Sequence, residues 1–176
     1  IALYDPITGI LNRRGFLEQC SRELSRAARN RYPVSLLMID FDHFKKMNDT
    51  YGHHIGDKLL ACLTEEIRDA VRPYDCLGRF GGDEFVICLP QVALESGIEI
   101  AERLRRRVEK QQFPILEHIL GVTMSIGIAC RVPERDTTVE SLLSEADRYM
   151  YRAKVTRNAV FHPSMEKSPQ ENGENM

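Results

Sequence analysis

Apolar positions recur every three or four residues in four separate parts of the chain. The first part lies within residues 16–30, the second within 55–71 and the third within 94–110, while the fourth follows Thr138. This spacing places the apolar side chains on one face of a helix, so it predicts four amphipathic helices. Thr138 is expected to cap the last of them through its side-chain hydroxyl.

Shorter apolar runs lie between the predicted helices and predict β-strands. They cover residues 34–39, 76–80, 85–89, 122–130 and 159–161. The first run is almost unbroken, which predicts a strand buried on both faces, and Gly81 and Gly82 predict a tight hairpin between the second and third runs. The resulting order contains βαββαβ, the ferredoxin-like pattern. We therefore predict an α/β (α+β) fold with a ferredoxin-like, palm-type core, in which helices surround a mainly antiparallel central sheet.

Acidic residues follow the first predicted strand and occupy the tip of the predicted hairpin. Asp40 comes directly after the strand, while Asp83 and Glu84 follow the two glycines. Because this kind of sheet brings such strand ends together, we expect the carboxylates to meet at one edge. Carboxylates gathered in this way suit Mg²⁺ or Mn²⁺, with substrate phosphates as further ligands. The alternative is an acidic hairpin tip that is merely solvated.

The segment 41–57 is predicted to be a long polar connection between a strand and a helix. It carries more functional groups than such a link requires, which indicates a binding loop. Asn48 and Asp57 have side chains that can hydrogen-bond to the edge of a base, and Lys45 or Lys46 can reach a phosphate. Asn48 equally suits a turn, and Asp57 equally suits the positive end of a helix dipole.

The composition narrows the class of protein. The 176 residues include 24 basic and 26 acidic side chains, which gives a formal net charge of −2. The length predicts a single domain over 1–162, and the polar stretch 163–176 predicts a disordered tail. A nearly neutral chain is not expected to coat nucleic acid, so no nucleic-acid partner is predicted.

The five cysteines lie far apart, which favours reduced core residues of a cytoplasmic domain over a redox or metal role.

The chain begins at Ile1 without an initiator methionine. We therefore expect a fragment of a longer protein, with an upstream sensory or dimerisation domain and with any membrane anchor outside this segment. No apolar run here approaches the roughly 20 residues that a membrane-spanning helix needs.

Six short blocks of sequence together resemble the GGDEF-domain diguanylate cyclases. They occur in the order of that family and extend over nearly the whole chain, from Asp5 to about Phe161. The blocks are Asp5-Pro-Ile-Thr-Gly-Ile-Leu-Asn-Arg-Arg14, Asp40-Phe-Asp-His-Phe-Lys-Lys-Met-Asn-Asp49, Gly52-His-His-Ile-Gly-Asp57, Arg79-Phe-Gly-Gly-Asp-Glu-Phe85, Thr123-Met-Ser-Ile-Gly127 and the segment from Ala146 to Lys154. One block alone would be a weak signal, whereas six in order identify the chain as a member of this family.

The resemblance implies a reaction and a metal site. Members of the family condense two GTP molecules into cyclic di-GMP and release pyrophosphate. Asp40, the Phe41 carbonyl oxygen and Asp83 match the positions that bind divalent metal, and two Mg²⁺ or Mn²⁺ ions are expected in each active site. Asp83 also matches the residue proposed as proton acceptor, and Glu84 is expected to act with it.

The resemblance also implies a nucleotide site and a separate product site. The matching substrate-binding positions are His43, Phe44, Lys45, Asn48, His53, Asp57, Lys154 and Arg157. Within this set, Asn48 and Asp57 match positions that bind guanine, and most of the others match groups near the phosphates. Arg72 and Asp75 form an RxxD motif that matches the family's inhibitory site for cyclic di-GMP, which implies that Arg72 contacts phosphate and guanine and that Asp75 accepts from guanine.

The last helix departs from the family pattern in one place. The glycine that usually precedes the position of Arg157 is missing, so Arg157 follows Lys154 after three residues instead of four. Both spacings lie on one face of a helix, so we expect both side chains to face the terminal phosphates from the last helix.

One domain offers one nucleotide site, so the family's reaction implies a homodimer in which each copy positions one GTP for attack on the other.

Two alternative functions stay open at this point. An inactive GGDEF module could bind GTP or cyclic di-GMP as a receptor, although the presence of Asp40, Asp83 and Glu84 favours an enzyme. A related palm-type cyclase or polymerase would share the metal chemistry, but Asn48 and Asp57 weigh against it.

Overall fold

The computed structural model describes residues 2–166, which form a mixed α/β domain. The helices and strands, in chain order, are α1 (Arg13–Asn30), β1 (Val34–Phe41), α2 (Phe44–Tyr51), α3 (His53–Ala70), β2 (Cys76–Gly81), β3 (Glu84–Pro90), α4 (Leu94–Lys110), β4 (Phe113–Ile115), β5 (His118–Leu120), β6 (Met124–Arg131), α5 (Val139–Ala153) and β7 (Ala159–Phe161). Each predicted helix and strand is present. The Thr138 hydroxyl accepts a hydrogen bond from the Ser141 amide, which confirms the predicted cap of α5.

The central sheet has five strands in the order β2-β3-β1-β6-β7. Strand β1 is antiparallel to both of its neighbours, β3 and β6, and only the β6–β7 pair is parallel. This arrangement confirms the predicted βαββαβ core with its mainly antiparallel sheet. The register pairs Asp40 with Glu84, so the end of β1 lies beside the turn that joins β2 to β3.

Strand β1 is buried on both faces, as its unbroken apolar run predicts. Leu37 and Ile39 belong to the hydrophobic cluster that also contains side chains of α3 and α4. Leu36 and Met38 belong to a second cluster, which contains side chains of α1 and α5. Helices therefore cover both faces of the sheet.

The prediction of a polar loop over 41–57 was wrong. The structure forms helix α2 there, and after one residue α3 begins at His53. Phe44 is buried and Met47 packs against the same core, so a single narrow apolar stripe holds this short helix in place. Polar groups occupy the rest of its surface, which hid the helical spacing in the sequence.

Two smaller features also differ from the sequence prediction. The β4–β5 hairpin was not predicted, because its three-residue strands are too short to show a pattern. Pro163–Met165 form a short 3-10 helix within the segment that was predicted to be disordered. The remainder of that predicted tail, from residue 167 onward, lies outside the described residues.

All five cysteines have free thiols, and Cys20, Cys76 and Cys88 are buried. These observations agree with the predicted role of cysteine in the core. Within residues 2–166, no helix combines the length and the apolar character that crossing a membrane requires.

Candidate active site

The hairpin between β2 and β3 ends in a turn that fixes the position of Asp83. Gly81 and Gly82 have φ values of 131° and 49°, a region that favours glycine, so the tight turn depends on them. Arg79 donates from Nε and Nη2 to the Gly82 carbonyl oxygen at 2.9 and 2.7 Å. The same guanidinium pairs with the Asp5 carboxylate at 3.0 Å, so the hairpin tip is held from the N-terminal segment.

One open cavity of about 480 Å³ collects most of the predicted site residues. Its lining consists of Asp40, Phe41, His43, Phe44, Lys45, Lys46, Asp49, Asp83, Lys154 and Arg157. Lys46, the predicted alternative to Lys45, also lines the cavity, and so does Asp49, which was not a predicted site residue. A larger cavity of about 920 Å³ lies between α1 and the start of α5 and contains none of the predicted residues.

Asp40 is poorly neutralised within the described chain. Burial and the neighbouring Asp83 carboxyl raise the pKa of Asp40 to about 7, although Lys154 opposes the shift. Its Oδ1 atom is buried without a hydrogen-bond partner among the described residues. A bound cation would satisfy this oxygen and relieve the repulsion between the two carboxylates, so the residues present fit a divalent metal.

The protein donors for such a metal are few. Among residues 2–166, no group of three or more His, Cys, Asp or Glu side chains is arranged to hold a metal ion. Two carboxylates with one backbone carbonyl oxygen would leave positions for phosphate oxygens and water, which is the usual situation for Mg²⁺ beside a nucleotide. Glu84 lies opposite Asp40 on β3, and burial together with the Asp40 and Asp147 carboxylates raises its pKa.

We expect the stability of the metal-free protein to depend on Asp40. Since the folded-state pKa of about 7 lies above the ordinary value of 3.8, the folded protein binds more protons between these two pH values. The contribution of Asp40 to stability is therefore present below about pH 4 and lost as the pH rises to about 7. As the pH rises from about 4 to about 7, the free energy of unfolding of Asp40→Asn should consequently increase by roughly 2 to 4 kcal/mol relative to that of the parent.

Urea unfolding in EDTA at about pH 4.5 and pH 8 measures this difference. Asp49→Asn is the matched control, because Asp49 is an exposed acid that lines the same cavity. An Asp40→Asn variant whose stability relative to the parent does not change with pH would contradict the prediction. Addition of Mg²⁺ at pH 8 should stabilise the parent more than the Asp40→Asn variant, since only the parent keeps both carboxylates.

Helix α2 directs unpaired backbone amides toward the cavity. His43 precedes the helix with a φ of 58°, and no side chain caps the first turn. The first helical hydrogen bond runs from the Met47 amide to the His43 carbonyl oxygen, so the N–H groups of 44–46 have no partner within the helix. Amides at a helix start favour phosphate, and Lys45 and Lys46 add positive charge there.

Asn48 lies behind these amides, against the first turn of α3. Its Oδ1 atom is buried and lacks a hydrogen-bond partner among the described residues, and Asn48 does not itself line the cavity. A Cβ atom added at Gly56 would collide with this oxygen, which means that only glycine leaves room for the observed Asn48 side chain. His53 and Asp57 are exposed on α3, and neither lines the cavity described above.

Lys154 lies between two carboxylates at the edge of the cavity. Its Nζ atom is 3.4 Å from Asp40 Oδ2 and 3.1 Å from Asp42 Oδ1. The expectation that Lys154 and Arg157 share a helical face was wrong, because α5 ends at Ala153. Arg157 lies beyond the helix with a φ of 59°, yet the turn still brings it to the cavity.

Asp42 supports this site and was missed as a site residue. It accepts hydrogen bonds from the Thr123 and Ser125 hydroxyls at 2.7 Å each, and from the Asn158 amide at 2.8 Å. Burial alone would raise the pKa of Asp42, but these donors and Lys154 outweigh burial and lower it. Its carboxylate thus joins β1, β6 and the segment after α5. The sequence shows only that a second acid follows Asp40.

Comparison with known families decides what the domain is. The family model described as "Diguanylate cyclase, GGDEF domain" matches residues 2–159. The chain belongs to the GGDEF family. This result confirms the family that the six sequence blocks indicated.

Several relatives of this GGDEF domain have names or structures. The response regulator PleD of Caulobacter vibrioides is 42% identical over 163 residues, which cover 91% of this chain and 36% of PleD. Diguanylate cyclase DgcP of Pseudomonas aeruginosa is 39% identical over 153 residues, which cover 87% of this chain and 22% of DgcP. The GGDEF domain thus spans about a third or less of these curated relatives.

Solved structures confirm the fold. The GGDEF domain of DgcB from Caulobacter crescentus, in complex with c-di-GMP, superposes with a TM-score of 0.85 at 29% identity and covers 92% of this chain and 93% of that one. Diguanylate cyclase SiaD from Pseudomonas aeruginosa, in complex with its activator SiaC, also gives a TM-score of 0.85, at 33% identity, covering 92% of this chain and 62% of that one.

The RxxD motif of this GGDEF domain forms a closed ion pair away from the cavity. Arg72 donates to Asp75 from Nε at 3.3 Å and from Nη2 at 3.0 Å, and its backbone amide adds a third bond at 2.7 Å. The Asp75 side chain is only 1% exposed, whereas that of Arg72 is 39% exposed. Asp75 therefore holds Arg72 in place, and both residues line a cavity of about 440 Å³ in which the arginine side chain is the more exposed.

Proposed function

We propose that this domain is a diguanylate cyclase, which condenses two GTP molecules into cyclic di-GMP and two pyrophosphates. The observation that carries the proposal is the content of one cavity: the Asp40 and Asp83 carboxylates, Lys154 and the free amides that begin α2. The carboxylates suit a metal ion that accompanies a nucleoside triphosphate, and the lysine and the amides suit its phosphates. The Asn48 Oδ1 atom, which has no hydrogen-bond partner among the described residues, is a nearby acceptor for its base. Relatives that are named diguanylate cyclases support the same reaction.

The proposed step is a displacement at phosphorus. The 3′-oxygen of one GTP forms a bond to the α-phosphorus of the other, and the bond from that phosphorus to the pyrophosphate oxygen breaks. A second, equivalent displacement by the remaining 3′-oxygen closes the ring and releases the second pyrophosphate. Asp83 accepts the proton of the 3′-hydroxyl, and Glu84 supports it from the next position on the hairpin. A positioned base contributes roughly 10²- to 10⁴-fold to the rate. The α2 amides, Lys45, Lys154 and Arg157 hold the phosphate oxygens, while His43 and Phe44 supply backbone groups nearby.

The residues that would hold divalent metal are Asp40, Asp83 and the Phe41 carbonyl oxygen, and we propose two Mg²⁺ or Mn²⁺ ions. Such ions, when bound, supply positive charge to the reacting phosphate and to the leaving pyrophosphate. The unpartnered Asp40 Oδ1 atom and the raised pKa of Asp40 support this assignment.

Two copies of the domain are needed in this proposal, because each copy binds one GTP through Asn48, Asp57 and the adjoining His53. A homodimer brings the two nucleotides together, and well-oriented proximity can lower a barrier by about 7 to 11 kcal/mol. The greater length of the curated relatives supports an upstream domain that controls the approach of the two copies. We place the domain in the cytoplasm, where GTP is available as a substrate.

Incubation of concentrated protein with GTP and Mg²⁺, followed by chromatography, tests the proposal. We expect cyclic di-GMP and pyrophosphate, with a rate that rises more steeply than the protein concentration. The same domain fused to a coiled-coil dimeriser controls for weak self-association. GTP binding without cyclic di-GMP from either form would contradict the enzyme and would instead indicate a receptor.

We further propose that cyclic di-GMP inhibits turnover by binding at Arg72. Arg72→Ala should raise the concentration of cyclic di-GMP needed for half-inhibition by about tenfold or more, since a charged hydrogen-bonding group contributes about 1.5 to 3 kcal/mol. The measurement is the initial rate against added product for the parent and the variant. Equal inhibition of the two proteins would remove Arg72 from the account.

A further inference from the structure

The guanidinium of Arg72 is fixed on one face as well as at its edge. Its Cζ atom lies 4.4 Å from the centre of the Tyr74 ring. The Tyr74 side chain belongs to the exposed large apolar residues of the domain, at 58% exposure, so its ring contributes little to the core. A planar guanidinium stacks well on an aromatic face, and this contact restricts the rotation of the long arginine side chain.

The hydrogen bonds of Arg72 show which part of it is available. Nε and Nη2 donate to Asp75, and Nη2 also donates to the Pro90 carbonyl oxygen at 2.9 Å. Within residues 2–166, Nη1 makes no hydrogen bond, so two N–H groups remain on one nitrogen. The stack with Tyr74 sets the plane in which these two groups point.

A ligand that meets this edge must carry acceptors that lie in or near one plane. Guanine offers N7 and O6 as neighbouring acceptors, and an adjacent phosphate offers oxygens. Arg72 and Asp75 both line a cavity of about 440 Å³, and Arg72 is the more exposed of the two side chains. Binding through its Nη1 atom costs less if the guanidinium is already held in place.

We propose that Tyr74 is a positioning residue of the product site, whose ring holds the Arg72 guanidinium in the plane that receives cyclic di-GMP. This inference rests on the proposed inhibition at Arg72 and adds a residue outside the RxxD pair. Tyr74 acts through its aromatic face, so its hydroxyl is dispensable.

Direct binding of cyclic di-GMP to the full chain, measured by isothermal titration calorimetry, tests the role of Tyr74. Tyr74→Ala should weaken the Kd by about three- to tenfold, as expected for loss of an exposed cation–π contact and of preorganisation. Tyr74→Phe should restore the Kd to within about twofold of the parent, because phenylalanine keeps the ring. Tyr151→Ala, which removes another exposed tyrosine, controls for a general effect of such a change.

Three outcomes separate this inference from the function on which it rests. Parent-like binding by Arg72→Ala would overturn the product site itself. Loss of binding in Arg72→Ala together with parent-like binding in Tyr74→Ala would overturn the role of Tyr74 alone. A Tyr74→Phe variant as weak as Tyr74→Ala would show that the hydroxyl acts, which also overturns the stacking account.

Discussion

An Asp83→Asn variant should lose cyclic di-GMP synthesis by about 10²-fold or more while it keeps its fold. Asp83 lies at the turn of the hairpin and lines the cavity with Asp40. Asparagine has nearly the same shape but cannot accept the 3′-hydroxyl proton and carries no charge for a metal, so the variant loses two contributions at once. Initial rates at saturating GTP and Mg²⁺ measure the effect.

One control variant from the same cavity and one stability measurement accompany this prediction. Asp49→Asn removes a different acid from the lining and should retain most of the activity. Urea unfolding should show that, without metal, Asp83→Asn is at least as stable as the parent. Removal of the Asp83 charge relieves the repulsion between the Asp83 and Asp40 carboxylates. Turnover by Asp83→Asn close to that of the parent would overturn both roles assigned to Asp83.

Replacement of Gly56 by alanine should impair GTP recognition although Gly56 has no side chain to contact it. The added Cβ atom would collide with the Asn48 Oδ1 atom, which is the end of a side chain that can turn away. Displacement of this acceptor would remove the proposed hydrogen bond to guanine, which would cost about 1 to 3 kcal/mol. We therefore expect kcat/KM for GTP to fall by roughly five- to 150-fold in both Gly56→Ala and Asn48→Ala.

Three variants distinguish displacement of Asn48 from damage to the helix. In the double variant, Gly56→Ala should add little to Asn48→Ala, because the two changes act on the same oxygen. Gly97→Ala also places alanine at a helical glycine, but there the new Cβ atom meets Ser35 instead of a ligand group. Additive effects in the double variant, or an equal loss of kcat/KM in Gly97→Ala, would show that Asn48 does not mediate the effect.

The pKa values of Asp40 and Asp42 depend on neighbours that only the tertiary structure brings together. Asp40 and Asp42 are two positions apart in sequence and have the same side chain, yet burial and Asp83 raise the pKa of Asp40 while four donors lower that of Asp42. The donors come from β6, from the end of α5 and from the turn after it. No pattern within the local sequence reports which distant groups will meet a carboxylate.

Helix α2 marks the limit of sequence periodicity in the fold. Long helices and buried strands were predictable, because their many apolar positions reveal the period of the element. Helix α2 has only eight residues, and Phe44 is its one buried side chain. Its helical form still matters for the site, since it converts a predicted binding loop into an ordered row of amides beside Lys45 and Lys46.

The sequence by itself determined the order of the elements, the family and the chemical groups available, because motifs such as Gly81-Gly82-Asp83-Glu84 and Arg72 with Asp75 are contiguous or nearly so. The tertiary structure decided which of those groups are free to act. It buried Asp75 beneath Arg72, as it buried Asp42 beneath its donors, and within residues 2–166 it left oxygens of Asp40 and Asn48 without hydrogen-bond partners. The physical reason is that ionisation and hydrogen bonding depend on neighbours remote in sequence, whereas helix and strand formation depend largely on nearby residues.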